Sequence, residues 1–212
     1  MKERTLKFLL VDDHPIVRAG VRQILSSHFH AEFVEADNAQ AGVEACACQG
    51  FDLMLLDVSL PGRSGLDLLI DLRTRCPLLP VLMLSMHHEE QFARRAFKAG
   101  AAGYITKSSI GGALVEAVKK ILAGGRYVSP ELAESLAASL GHESSEPAHE
   151  TLSAREFEVF RLIVSGKSGK EIAAILFLSF KTVSTYRTRI LQKLGVGSTA
   201  ELAQYATRKG LI

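Results

Sequence analysis

The chain has no tryptophan, only three cysteines and six prolines, and no long uninterrupted apolar run. Runs such as Phe8–Val11 and Val81–Leu84 fall far short of the roughly 18 residues that a membrane-spanning helix needs, so they are read as pieces of a core. No apolar leader opens the sequence, and a cytoplasmic protein without membrane attachment is expected. Cys46, Cys48 and Cys76 are odd in number, and the Cys-Ala-Cys spacing matches neither the common structural zinc patterns nor a thioredoxin-like pair. They are read as reduced, small apolar side chains, in keeping with a reducing compartment. With 47% hydrophobic residues, the 212-residue chain is too apolar for disorder and long enough for one large core or two modest ones.

The small net charge of +2 hides an uneven distribution. Residues 151–212 hold ten Lys and Arg against four Asp and Glu, whereas residues 1–150 hold fifteen against nineteen. A compact basic segment behind an acidic one suggests a module for polyanions joined to something else.

The acidic part alternates short apolar runs with amphipathic stretches. Strands are expected at Leu6–Val11, Ala31–Ala36, Asp52–Asp57, Pro80–Ser85 and Gly103–Thr106. Helices are expected at about Ile16–His28, Ala39–Gln49, Gly65–Arg75, Glu89–Ala99 and Ser109–Ala123, with Gly124-Gly125 as a stop. Strand and helix alternating five times predict an α/β domain, a five-stranded doubly wound parallel sheet covered on both faces. Residues 138–150 lose periodicity and become polar, as a linker does, and Pro130–Leu140 reads as a short helix leading into it. The expected organisation is a first domain over 1–125, a linker over 126–150 and an all-α domain over 151–212.

Beyond the linker the period is helical. Ser153/Glu156, Ser168/Glu171 and Ser198/Glu201 each match a capping box, in which the two side chains satisfy orphaned N–H groups at a helix start. Ser179 is a candidate cap for a fourth helix, Phe180 to Leu194, ending at Gly195. A short helix at Gly169–Phe177, a tight turn and then a long basic helix are the pattern of a helix-turn-helix. In the long helix, Val183, Ile190, Leu191 and Leu194 share an apolar face. Lys181, Ser184, Thr185, Thr188 and Gln192 lie opposite, Arg187, Arg189 and Lys193 flank them, and no acidic residue interrupts. Such a helix suits a major groove, with Lys and Arg on phosphates and small polar groups toward base edges.

In a doubly wound sheet, ligands bind at the carboxyl ends of the strands where the strand order reverses. That edge should carry Asp12 and Asp13 after the first strand, Asp57 ending the third, Ser85 ending the fourth and Lys107 after the fifth. Singly, each is an ordinary loop residue. Together they are three carboxylates, a hydroxyl and an ammonium from four chain segments. The crowded carboxylates would repel one another unless a cation neutralised them, and a hard divalent ion such as Mg2+ fits an all-oxygen set.

Val-Asp-Asp-His-Pro at 11–15, Leu-Leu-Asp-Val-Ser-Leu-Pro-Gly at 55–62, Leu-Ser at 84–85 and Gly-Ala-Ala-Gly-Tyr-Ile-Thr-Lys at 100–107 resemble response-regulator receiver domains. The segments 152–160, 166–173 and 181–187 are similar to LuxR-type effector domains, so the whole chain resembles the NarL/FixJ family. Tyr186, where many members carry His, leans toward its GacA/UvrY branch. The resemblance implies that Asp57 accepts a phosphoryl group from a sensor histidine kinase, and that Asp12, Asp13, Asp57 and the Ser59 backbone carbonyl hold Mg2+. It implies that Lys107 pairs with a phosphoryl oxygen, that Ser85 moves toward another, and that Tyr104 follows into the space Ser85 leaves. Ser59 and His87 occupy positions like those that tune phosphoryl lifetime. Ser85 replaces the more frequent Thr, and Ser108 the usual Pro, so no cis peptide bond is carried over.

By the same resemblance Ser184, Thr185 and Thr188 face bases in double-stranded DNA, while Lys181, Tyr186, Arg189 and Lys193 position the backbone. The helix Thr199–Arg208, with Leu202, Ala203 and Ala206, resembles a dimerisation helix, although these residues suit packing inside the domain equally well. The resemblance implies a homodimer on phosphorylation or DNA binding, with RNA polymerase a further partner. The protein implied is a phosphoacceptor transcription factor and not an enzyme, beyond slow self-catalysed phosphotransfer and dephosphorylation. Two rivals stand beside it. An aspartate-nucleophile phosphatase would place a second Asp two residues after the nucleophile, where this chain has Ser59. A phosphorylation-independent DNA-binding regulator would not need Asp12, Asp13, Asp57, Ser85 and Lys107 together.

Overall fold

The structure, a computed structural model, describes residues 4–48, 50–86, 90–130, 132–134 and 148–211. His87, and most of the stretches expected to form the short helix at Pro130–Leu140 and the linker, lie outside the described residues. The chain separates into two compact units, Met1–His142 and Glu143–Ile212.

In the first unit five strands, β1 (Leu6–Val11), β2 (Ala31–Ala36), β3 (Leu53–Asp57), β4 (Val81–Ser85) and β5 (Gly103–Thr106), alternate with five helices. These are α1 (Pro15–Ser26), α2 (Ala39–Cys48), α3 (Gly65–Arg75), α4 (Glu90–Lys98) and α5 (Ile110–Leu122). The sheet is parallel throughout, in the order β2-β1-β3-β4-β5. The order reverses between β1 and β3, so the ends of those two strands flank the crevice where such a fold binds ligands.

Central strands are apolar because both faces are covered: β3 and β4 are buried along their whole length. Phe8, Leu10, Leu55, Leu82, Leu84 and Ile105 meet Val21 and Leu25 of α1 and Leu114, Val118 and Ile121 of α5 in one core. Edge strand β2 is only half-buried. Strand β4 begins at Val81, not Pro80, since Pro80 has no N–H for the ladder, although its carbonyl accepts from Met54. A 3-10 turn, Lys107–Ser109, intervenes before α5.

The second unit opens with a 3-10 turn at Ala148–Thr151 and continues as α6 (Ala154–Val164), α7 (Gly169–Ile175), α8 (Phe180–Leu194) and α9 (Thr199–Arg208). Its buried core joins Phe157, Phe160 and Ile163 to Ile172, Val183, Ile190, Leu194, Leu202 and Ala206. Two capping boxes, Ser153/Glu156 and Ser168/Glu171, are complete in both directions. The third is half-formed. Ser198 accepts from the Glu201 amide, but the Glu201 carboxylate turns to the Gly197 amide and the Ser198 hydroxyl. Among the described residues no helix is long and apolar enough to cross a membrane.

Candidate functional site

Asp57 ends β3 and is 1% exposed, with Asp12 just past β1 at 2%. Lys107, following β5, spans them: its Nζ donates to Asp57 Oδ2 at 2.7 Å and lies 2.8 Å from Asp12 Oδ2. The Ser59 amide donates to Asp57 Oδ1 at 3.2 Å. Burial pushes the Asp57 carboxyl up to about 6, with the Asp12 charge adding to it, against the Lys107 ammonium and the Ser59 N–H. Burial alone would pull Lys107 down, but the Asp57 charge, the hydrogen bond to Asp57 and the Asp12 carboxylate beside it outweigh it and hold its ammonium above the ordinary lysine value.

Three carboxylates thus face one ammonium. Asp12 Oδ2 and Asp13 Oδ1 are buried and accept no hydrogen bond, so only nearby charge meets theirs. One ligand atom each from Asp12, Asp13, His14 and Asp57 can be chosen with all four inside 4.8 Å of one another. The sequence reading gave His14 no part here. Its amide donates to Asp12 Oδ1 at 2.8 Å, and its Nδ1 stands 2.7 Å from Asp13 Oδ1 and 3.2 Å from Asp12 Oδ1. Its place directly after Asp12-Asp13 was the available signal. The excess negative charge and the orphaned oxygens fit a hard divalent cation, which favours the carboxylates over the imidazole.

Ser85 and Tyr104 are both buried, and their side-chain hydroxyls are hydrogen-bonded to each other. Burial raises that phenol, the Ser85 bond lowers it and the Asp57 charge raises it, with an upward result. Tyr104 lies inside, beside Ser85. A Ser85 that turns toward Asp57 must give up the bond to Tyr104.

The floor of the site is set by Gly65. Its amide donates to the Val58 carbonyl at 2.8 Å, and a Cβ there would stand 1.8 Å from the Asp57 carbonyl oxygen. Ser64 caps the same helix by accepting from Leu66, and its hydroxyl donates to Val58. The glycine is an ordinary-looking N1 residue in sequence, and only the packing shows why it has no side chain.

In the second unit, α8 buries Val183, Ile190 and Leu194 and exposes Lys181, Ser184, Thr185, Thr188, Arg189 and Gln192, with Leu191 and Tyr186 half-buried. Thr185 donates back to the Lys181 carbonyl and Thr188 to that of Ser184, so each hydroxyl offers its surroundings only an acceptor. Arg187 is engaged by the Thr199 hydroxyl. The Nζ of Lys193 donates to Glu156 Oε2 at 2.6 Å and to the Thr151 carbonyl at 3.2 Å. Although burial opposes it, the bonds from Lys193 and from the Ser153 cap hold the Glu156 carboxyl below the usual range. That clasp fixes α8 on the first turn of α6.

The helix pair is locked from a further side. Buried Arg155 donates to Glu158 and, at 2.6 Å, to the Leu176 carbonyl at the end of α7. The ring of Phe180 covers Gly169, where a Cβ would approach it to 2.8 Å. On α9, Leu202, Tyr205 and Ala206 are buried within the unit, and Tyr205 pairs with His149 through Nδ1 at 3.0 Å. Of the apolar residues of this helix that suit either a dimer or the domain's own packing, Leu202 and Ala206 are buried within the unit and Ala203 is half-buried.

Residues 8–119 match the family model described as response regulator receiver domain, and residues 150–206 match that of bacterial regulatory proteins of the luxR family. The chain is similar to the response regulator UvrY of Escherichia coli K12, at 35% identity over 208 residues covering 97% of this chain and 95% of that protein. It is equally similar to the response regulator GacA of Pseudomonas aeruginosa, at 35% identity with 98% of each chain covered. Among solved structures it resembles RcsB of Salmonella enterica serovar Typhimurium, bound to promoter rprA in the presence of the phosphomimetic BeF3−. The TM-score is 0.66 at 26% identity, with 96% of this chain and 99% of that one covered.

Proposed function

We propose that this chain, which belongs to the two-component response regulators joining a receiver domain to a LuxR-family DNA-binding domain and so regulates transcription, accepts a phosphoryl group on Asp57 from a sensor histidine kinase. The observation that carries the reading is Asp57, almost wholly buried, held between an ammonium and two further carboxylates at the point where the strand order reverses. An Asp57 oxygen attacks phosphorus, and the phosphohistidine nitrogen leaves. Lys107 stands ready to pair with a phosphoryl oxygen. Asp12, Asp13 and Asp57, with the Ser59 carbonyl, would hold Mg2+, which when bound screens an anionic nucleophile from an anionic phosphoryl group. His14 holds Asp12 and Asp13 in place.

Once Asp57 carries the phosphoryl group as an acyl phosphate, Ser85 has a stronger acceptor than the Tyr104 phenol, and the loss of that hydrogen bond is the first event of the switch. The readout is DNA binding by α8 in 151–212, with 126–150 as the linker, in a homodimer. With Leu202 and Ala206 buried, a second copy would meet α9 at Ala203 and its polar side. Specificity then leans on shape and water, since three hydroxyl side chains provide no bidentate base contact. The phosphatase alternative lacks its general acid at Ser59.

Incubation with a small phosphodonor and Mg2+ tests the first half: one phosphoryl group per chain is expected by intact mass, and none once a chelator removes the cation. Full uptake in chelator would overturn the metal assignment. For the second half, Lys181→Ala should weaken binding to every DNA sequence by a similar factor and lower the salt slope by about one. Thr185→Ala should instead change the ranking among sites, by about 1 kcal/mol at one position. Uniform loss from both in a mobility-shift series would show that the face of α8 has been assigned wrongly.

A further inference from the structure

The phosphorylation chemistry leaves two thiols of the first unit without a task. Cys46 stands in the last part of α2 and Cys76 caps the end of α3. Far apart in sequence, they line one open, mainly apolar cleft of about 330 Å3, walled by Phe51, Pro77, Leu78 and Leu79. Phe51 leads into β3 and Leu79 into β4, so the cleft lies at the end of the sheet remote from Asp57. Both thiols are half-buried, and they lie near enough for Cys76 to bear on the charge of Cys46.

Arg73 supplies a second asymmetry. Its guanidinium is pinned by the Pro77 carbonyl at 3.1 Å and the Leu79 carbonyl at 2.5 Å. Its Nε–H is buried with no hydrogen-bond partner, and Cys76 lies near enough to bear on the guanidinium's charge. A thiolate on Cys76 would have a cation beside it. Burial and the neighbouring Cys76, by contrast, push the Cys46 thiol up to about 11, so it stays protonated until it is called on.

We propose that Cys46 and Cys76 are a redox-active dithiol that closes to an intramolecular disulfide by exchange with a low-molecular-weight disulfide. The Cys76 thiolate, its proton released to solvent, attacks one sulfur of the small disulfide. The S–S bond breaks, a mixed disulfide forms on Cys76, and the first small thiolate leaves and is protonated. Cys46 then loses its proton and attacks the Cys76 sulfur, displacing the second small thiolate, which is protonated in turn. Two protein thiols are oxidised and one small disulfide is reduced to two thiols. In a reducing compartment the pair rests open, and it closes when the ratio of disulfide to thiol rises. The new bond ties α2 to the end of α3, the helix whose other end rests on the Asp57 carbonyl.

The test uses the full chain in graded mixtures of oxidised and reduced glutathione, quenched by alkylation and read by non-reducing peptide mass mapping. A Cys46–Cys76 linked peptide is expected, unchanged in yield in C48S. C46S should stop at a mixed disulfide of glutathione on Cys76, whereas C76S should take up several-fold less glutathione on Cys46. Closure should raise the thermal midpoint of the first unit by several degrees. Linkage mainly through Cys48, closure seen only in urea, or both thiols still alkylated in fully oxidised buffer would each overturn the proposal.

Discussion

Asp57→Asn is expected to reduce phosphoryl uptake from a small phosphodonor to background while leaving the protein at least as stable as before. The two readouts together separate a chemical role from a structural one. The amide keeps the shape of the carboxylate and can still accept from the Ser59 amide, but it is no longer an anionic nucleophile. Stability should not fall, because an ionised Asp57 is a strained occupant. Burial and the Asp12 charge work against its anion more than Lys107 and Ser59 support it. A carboxyl raised from 3.8 to about 6 is destabilising when ionised, by about 1–3 kcal/mol before any bound cation offsets it. In chelator, therefore, the variant should unfold at higher urea than the wild type, and added Mg2+ should narrow the gap. Wild-type labelling of the variant would remove Asp57 from the reaction. A loss of several kcal/mol would instead make Asp57 a member of the core.

Gly65→Ala is expected to act in the opposite sense, lowering the stability of the first unit by about 3–5 kcal/mol and phosphoryl uptake with it. Helix propensity predicts a gain of about 1 kcal/mol from this change, so the two effects differ in sign. The geometry decides between them: the added methyl would sit 1.8 Å from a carbonyl oxygen of the strand that carries Asp57. Neither partner can swing aside, since the obstacle is backbone. Either α3 backs away, breaking the Gly65–Val58 hydrogen bond, or the end of β3 bends and takes Asp57 from Lys107. Urea unfolding followed by a probe in the first unit is the measurement, because two units need not melt as one. A stabilised variant would show that α3 is more loosely seated than the packing indicates.

What the sequence disclosed followed from periodicity and from local chemistry. Strands β1, β2 and β5 and helix α3 run over the expected residues, since short apolar runs and an amphipathic stretch are patterns readable within a short window. The acidic edge was legible for the same reason: Asp12, Asp57 and Ser85 each fall where an apolar run stops. The rest depends on residues that meet across long stretches of chain. Nothing in a window announces that Lys193 will close on Glu156, that Arg155 will reach the Leu176 carbonyl, or that Tyr104 is already buried against Ser85. Glu201 shows the limit of a motif. The box had the right spacing, but the extra N–H of Gly197 drew the carboxylate away.

The turn between α7 and α8 carries Phe177 with φ 52°, the single non-glycine residue in the left-handed region among those described, and the residue is 71% exposed. A bulky residue held there costs about 1–2 kcal/mol, and the surrounding contacts of Arg155, Leu178 and Phe180 keep it so. The angle between the two helices is therefore overdetermined, set before any duplex is encountered. A groove meeting this pair has to fit a gauge of fixed width. On the proposed reading of α8 as the DNA-binding helix, sites whose groove already matches would be favoured over sites that must be deformed to suit it, with the stiffness of the DNA supplying the discrimination.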